Sequence, residues 1–217
     1  MSRPAKFDEE QILAAAGRLV AHHGPAGASV GAVARAVGAP IGSIYHRFAS
    51  RDVLLAEVWL RAASAFQAAY FARLSASSPR AAGLAAALYL PERVRERPEE
   101  ARLLLLHRRE DFVDRGWPAV MRRRALNLGR QVETELRCFA RCLCGRDDAR
   151  TITMVTFAVL GAPFAAVRPH VAAHARPPVY VDELIRVTYE ASIALLSGKR
   201  RRGGRRRREP SEKERRS

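Results

Sequence analysis

Three cysteines, Cys138, Cys142 and Cys144, fall within seven residues, and the first two are four apart, a spacing that puts side chains on one face of a helix. Two thiolates so placed suit a thiol sensor or a pair of ligands to a soft metal ion. Free cysteine is nevertheless among the most buried residue types, so the expectation is of inert core thiols. No histidine lies between residues 108 and 169 to complete a metal site, and none is expected. His170 and His174 repeat the four-residue spacing at a predicted helix end and are expected in solvent. His107, Arg108, Arg109, Glu110 and Asp111 form a contiguous run of acid and base groups, the raw material of an enzyme. With them come no nucleophile–base pairing, no phosphate-cradling loop and no metal-ligand spacing, so no catalytic residue and no cofactor is expected.

The charge suggests binding instead. The chain of 217 residues carries 38 Lys and Arg against 22 Asp and Glu, a formal net charge of +16. Such an excess suits a polyanion, nucleic acid before an anionic membrane. Half of it sits in residues 199–217, where eleven Lys and Arg face three Glu. This tail cannot bury enough apolar surface to fold and is expected to be disordered. It has no apolar side chains to insert into a bilayer, so no membrane partner is expected. Non-specific DNA binding through counterion release and a merely solvated end suit it equally. Of the 38 basic residues 35 are Arg, which together with abundant Ala reads as a GC-rich coding bias, so bare Arg counts carry little weight. The few cysteines, odd in number, exclude a disulfide-stapled secreted scaffold. Neither a run of about 18 apolar residues nor a signal-peptide order is evident, and a cytoplasmic, nucleoid-associated protein is expected.

Groups that bind need a frame, and the periodicity gives an all-α one. Nearly every periodic stretch has helical spacing, and no alternating run rich in Val, Ile and Thr calls for a strand. A first helix opens at Asp8, with Gln11 able to reach back across the cap and Phe7 to staple onto Ile12. His22-His23-Gly24-Pro25 ends it. Ser29 caps a short second helix with Val30, Val33, Ala34 and Val37 on one stripe. Gly38-Ala39-Pro40 interrupts it, and Pro40 is placed in the first turn of a third helix, Ile41 to Phe48. This is the outline of a helix-turn-helix. Ser50 caps a longer fourth helix through Tyr70. Beyond a polar break at residues 75–79, helices are expected near 80–96, 99–108, 118–143, 148–169 and 178–196. A kink or break is expected where Pro163 removes a backbone donor.

The run Ser29-Val30-Gly31-Ala32-Val33-Ala34-Arg35-Ala36-Val37-Gly38, then Ile41-Gly42-Ser43-Ile44-Tyr45-His46-Arg47-Phe48-Ala49-Ser50-Arg51-Asp52-Val53-Leu54-Leu55, closely resembles the N-terminal DNA-binding segment of the tetracycline-repressor (TetR) family. The likeness runs from Phe7 to Val58, about a quarter of the chain. It implies that Ile44 and Phe48 turn inward as core. Ser43, Tyr45 and His46 would lie on the side of the third helix that enters the major groove of double-stranded DNA. Ser29 would meet a phosphate at the second helix's N-terminus, and Arg51, standing where the family usually has Lys, would make a backbone contact that Lys6 and Arg3 of the N-terminal arm extend. Ile41 stands where a polar residue is common and offers only a thymine-methyl contact. Arg47 replaces a residue that is commonly aromatic, and its expected partner is phosphate. Gly42 presents no side chain.

The same resemblance implies three parts: a helix-turn-helix DNA-binding domain at 1–50, a helical ligand-binding and dimerisation domain at 51–198, and the basic tail at 199–217. It implies a homodimer through the last two helices, with Val155, Leu160, Phe164, Leu184, Val187, Tyr189 and Leu195 as candidate interface. Two recognition helices would then meet a palindromic operator about 34 Å apart. A small-molecule effector in the C-terminal part would act by favouring one spacing of the heads over another, with repression and release as the expected mode. The apolar residues Phe66, Tyr70, Leu104, His107, Phe112, Trp117 and Met121 are candidates to line that effector pocket, although ordinary core is the default for each one singly.

Overall fold

The computed structural model describes residues 8–75, 78–112 and 116–198. It is all-α, with no strand among the described residues: α1 Glu9–Gly27, α2 Val30–Val37, α3 Ile41–Tyr45, α4 Arg51–Ser75, α5 Pro79–Glu96, α6 Pro98–Leu105, a 3-10 turn Arg109–Phe112, α7 Ala119–Cys144, α8 Ala149–Thr156, a π-turn Phe157–Gly161, α9 Ala162–Ala172 and α10 Tyr180–Gly198. Phe7, Arg3, Lys6 and the basic tail lie outside the described residues.

Local chemistry sets the helix starts. The Asp8 amide donates to Gln11 Oε1 at 3.5 Å, Ser29 Oγ accepts from the Ala32 amide at 3.1 Å, and Ser50 Oγ accepts from the Val53 amide at 3.1 Å. Each satisfies a donor that helix geometry leaves without a partner. Gly38 closes α2 in the left-handed region (φ 68°), where a side chain would be strained. Two ends differ from expectation. Gly24 (φ 70°) kinks α1 where the break was expected, but Pro25 then opens a further turn to Gly27. Pro40 caps α3 instead of occupying its first turn, and Phe48 lies beyond the helix, just after the turn at His46 and Arg47.

Two apolar cores share one long helix. The N-terminal core gathers Ile12, Ala16, Val20, Val33, Ile44 and Phe48 and extends into α4 through Leu54, Leu55 and Val58. It also takes in Leu103 of α6 and Phe112 of the 3-10 turn, both from the C-terminal part. The second core surrounds α5: Ala82, Ala86 and Leu90 meet Leu136 and Phe139 of α7, Val155 and Val167 of the α8–α9 segment, and Ile185 and Tyr189 of α10. Gly83 permits this approach, since a Cβ there would stand 2.7 Å from Phe139 Cζ, closer than packed atoms tolerate.

The expected kink at Pro163 takes the form of the π-turn at Phe157–Gly161, which keeps residues 149–172 in one helical run. Pro163 cannot donate to the Val159 carbonyl four residues back. Tyr70 supplies the missing donor from α4, its hydroxyl 2.9 Å from that oxygen, and burial pushes the phenol well above its ordinary pKa. Without it, a buried carbonyl would be left unpaired at a cost of about 1–3 kcal/mol. Tyr70 is thus a structural clamp, not a pocket wall. Val155 and Tyr189, expected on a dimer face, are fully buried within the protomer's own core and cannot supply one.

Candidate nucleic-acid interface and ligand cavity

The α2–turn–α3 unit presents a divided surface. Ile44 (1% exposed) and Phe48 (4%) face inward and fix α3 on the N-terminal core. Ile41 (51%) and Tyr45 (52%) face outward, with Ser29, Gly42 and His46 exposed and Ser43 half-buried. Turning by about 100° per residue, α3 necessarily separates these sets. The outward set offers a phenolic hydroxyl, an imidazole, a serine hydroxyl and an apolar tip on one short ridge, a combination suited to phosphate oxygens and base edges.

Two arginines are held inside the head. Arg47 Nη1 donates to the Ser43 carbonyl at 3.0 Å. Arg51 donates from Nε to the Ala28 carbonyl at 3.2 Å and from Nη2 to the Pro25 carbonyl at 2.5 Å. Arg51 therefore ties the start of α4 to the end of α1, which orients α3 indirectly. Sequence spacing gave no sign of these bonds, because the kink at Gly24 is what brings the α1 carbonyls within reach.

The head is joined to the rest by packing and charge. Arg61 of α4 pairs with Glu9 at 2.6 Å and with Glu10 of α1, and with Glu57 at 3.3 Å. Arg124 of α7 reaches the other Glu57 oxygen at 2.6 Å. The Arg124 hydrogen bond, more than Arg61, holds the Glu57 carboxyl below its ordinary pKa, against the opposing effect of burial. Trp59 and Trp117 meet edge to face with ring centroids 5.5 Å apart. The His107 ring lies 6.3 Å from that of Phe112, and burial pushes its pKa down.

A cavity of about 190 Å³ opens between α4, α5, α6 and the α8–α9 segment. Of the residues expected to line it, Phe66 and Leu104 do. Phe112, Trp117 and Met121 pack on the N-terminal core, and His107 lies beside Phe112. The rest of the apolar lining includes Ala63, Leu90, Leu160 and Phe164. Three polar residues enter it that sequence reading missed: Gln67, Arg93 and Glu100. Arg93 Nη2 spans both Glu100 oxygens at 2.8 and 2.7 Å. One turn of α6 thus serves both parts, since Ala101, Leu104 and Leu105 face the cavity while Leu103 enters the head's core.

The run of acid and base groups is occupied in folding a turn. Asp111 Oδ2 accepts from the Arg108 amide at 2.7 Å, Arg109 pairs with Glu110 at 2.7 Å, and the Trp117 indole donates to the Arg109 carbonyl at 3.3 Å. His174 closes α9 with a left-handed φ of 56° and is exposed, as expected, while His170 is half-buried.

The cysteines depart from expectation. The buried residues of α7 are Ala125, Leu136, Phe139 and Ala140, and Cys138 and Cys142 fall off that stripe into exposed positions. They line a groove of about 260 Å³ with Leu74, Glu135 and Phe139. Cys144 is half-buried, and burial raises its thiol pKa. Among the described residues no cluster of three or more metal-ligating side chains occurs. Titration of the folded protein with a thiol reagent is expected to give two fast groups and one about tenfold slower, because exposure and thiolate fraction govern the rate. Three equal rates, or Cys144 reacting first, would contradict this placement.

Fold and ridge together define an all-α helix-turn-helix DNA-binding protein. Residues 12–58, which span the helix-turn-helix and the first turns of α4, match the family model described as bacterial regulatory proteins, tetR family. No curated protein matches the chain. Similar solved structures include a TetR-like regulator from Rhodococcus sp. RHA1, at 19% identity and TM-score 0.66 over 91% of this chain and 100% of that one. The fatty acid degradation regulator FadR from Bacillus halodurans is similar at 14% identity and TM-score 0.65, over 86% and 98%. FadR from Bacillus subtilis, described in complex with stearoyl-CoA, is similar at 13% identity and TM-score 0.64, over 86% and 98%. At such identities the likeness is one of fold.

Proposed function

We propose that this chain is a sequence-specific repressor, working as a homodimer, that leaves a palindromic operator when a small molecule enters the cavity. The observation that carries this reading is the division of α3 between a buried anchor, Ile44 and Phe48, and an outward ridge of Ile41, Ser43, Tyr45 and His46. Ser29 and the open backbone at Gly42 would flank the ridge at the phosphates. Arg47 and Arg51 would act mainly by bracing it, and Lys6 by reaching from the N-terminal arm. The head would extend from the arm through the first turns of α4, with the remainder binding ligand and partner. A FadR of this fold described with stearoyl-CoA supports a small molecule as the effector.

Dimerisation is supported by apolar surface that the protomer leaves uncovered. Residues 149–172 form a helical run long and apolar enough by composition to cross a membrane, yet Val155, Val159, Val167 and Val171 bury only one side of it. Phe157 on its outer side, and Tyr180, Leu184, Val187 and Leu195 on α10, remain exposed. Apolar stripes on adjacent helices, each with one face already packed, suit a two-fold four-helix contact.

Release would pass through α6. A ligand against Leu104 pushes on the same short helix that carries Leu103 into the head's core, so occupied and empty cavities would favour different head positions.

The test is competitive binding to fragments of the protein's own genomic neighbourhood, comparing wild type, Tyr45→Ala and a chain ending at Gly198. Wild type is expected to select one palindromic fragment. Tyr45→Ala should weaken that selection about 10- to 100-fold, the worth of one or two phosphate or base contacts. The truncated chain should keep the selection with a shallower salt dependence. Loss of binding only on truncation, with no preferred fragment, would transfer DNA binding to the tail and sink the proposal.

A further inference from the structure

We propose that the cavity takes a compact, uncharged, mostly apolar molecule, of the size of a single substituted aromatic ring and carrying one hydroxyl; this rests on reading the chain as a ligand-responsive regulator. Size is the first argument. At about 190 Å³ the space lies just above the roughly 150 Å³ in which benzene is held and below the roughly 300 Å³ at which drug-sized pockets begin. A long acyl chain does not fit such a volume.

Charge is the second. The ionic side chains at the cavity are Arg93 and Glu100, and they neutralise one another through both Glu100 oxygens. A carboxylate or phosphate entering here would meet Glu100 beside an Arg93 whose charge that carboxylate already offsets, and an ammonium would meet Arg93. Neither sign is favoured, which leaves a neutral ligand.

Hydrogen bonding is the third and most specific. Among the described residues, three buried side-chain atoms lack a partner: Gln67 Oε1, Tyr89 Oη and Arg93 Nε. Gln67 and Arg93 are among the residues that line the cavity, their unpaired atoms lying within its wall, where rotation of the Gln67 amide brings them to a ligand, and the Tyr89 ring packs at a tilt on Phe66, with centroids 5.4 Å apart. Buried polar atoms are paired in nearly all native proteins, and exceptions mark a site for water or a ligand. Gln67 Oε1 wants a donor and Arg93 Nε–H an acceptor. A hydroxyl is the smallest group that offers both, and Phe66 and Phe164 supply aromatic surface for the ring that carries it.

The experiment uses the full-length protein with four probes: 4-ethylphenol, ethylbenzene, benzoate and a long-chain acyl thioester. Binding is read by calorimetry and by the fluorescence of Trp59 and Trp117. Ethylphenol is expected to bind about tenfold more tightly than ethylbenzene, one extra hydrogen-bonded group's worth, with benzoate and the thioester weaker than both. Gln67→Leu should erase the preference for ethylphenol while ethylbenzene still binds. Ala63→Leu, which fills the space, should weaken every ring probe. Thermal melts establish that each variant is folded. Equal binding of ethylphenol and ethylbenzene, with water bridging Gln67 and Arg93, would overturn the proposal. So would tighter binding of benzoate or thioester, or no binding of ethylphenol. Operator binding measured in parallel separates the two readings. If the fragment is selected but the probes fail, only the ligand class falls; if ethylphenol binds and no fragment is ever selected, the regulator reading falls and the site remains.

Discussion

Replacing Leu184 and Val187 together by Glu is expected to abolish the proposed two-fold contact and leave a folded monomer. Both side chains are more than half exposed in the protomer and sit on the outer face of α10, whose inner face holds Val181, Ile185 and Tyr189 in the core. The protomer therefore loses nothing that packs it. In a two-fold contact each substitution occurs twice, so four carboxylates would be stripped of water against apolar neighbours, at several kcal/mol for each. Even with relaxation this should weaken self-association by about a thousandfold or more. Sedimentation should then show a monomer at micromolar concentration, with helicity and melting temperature close to wild type. Affinity for a palindromic fragment should fall with it, since each half-site would be bound alone. A dimer that survives both glutamates would place the interface elsewhere, and the exposed stripe from Tyr180 to Leu195 would need another partner.

What was readable in advance follows the range of the interactions. Ser29, Gly38 and Ser50 act on amides and dihedrals a few residues away, so their caps and turn could be read from spacing alone. The burial of Ile44 and Phe48 followed from the TetR resemblance and from their four-residue separation. The pocket could not be read this way. Phe66 and Phe112 are both apolar and helical, and nothing local says that one borders a cavity in the C-terminal part while the other belongs to the N-terminal core. That depends on α6 and the 3-10 turn doubling back against α1, a long-range event. The polar lining was missed for a related reason: Gln67 and Arg93 look like solvent-facing residues until α5 and α6 are placed around them. The opposite charges of Arg93 and Glu100, seven apart across the Pro98 helix start, were the one available hint. For the cysteines, the Leu136, Phe139 and Ala140 stripe was a better guide than the general tendency of cysteine to be buried. By that stripe, Cys138 and Cys142 belong on the outer side of α7.

The position of Phe112 carries the largest consequence for stability. Its ring is fully buried, comes from the segment after α6, and completes a core otherwise built from α1 to α4 with Leu103. Phe112→Ala should remove about 3–5 kcal/mol, because a ring-sized cavity at a junction of separate elements has little around it that can collapse. Chemical denaturation followed by helicity is expected to show that loss. The tryptophan signal should move at lower denaturant than helicity, because Trp59 and Trp117 lie at the same junction while the second core, around α5, is left intact. The variant should also uncouple the two parts: with the head no longer gripped by the turn, a molecule bound at Leu104 would change DNA affinity less than in wild type, even where its own binding is unaltered. A loss under about 1 kcal/mol with coincident transitions would mean that the turn merely rests on the head. In that case the long helix α4 alone would have to carry any signal between cavity and DNA.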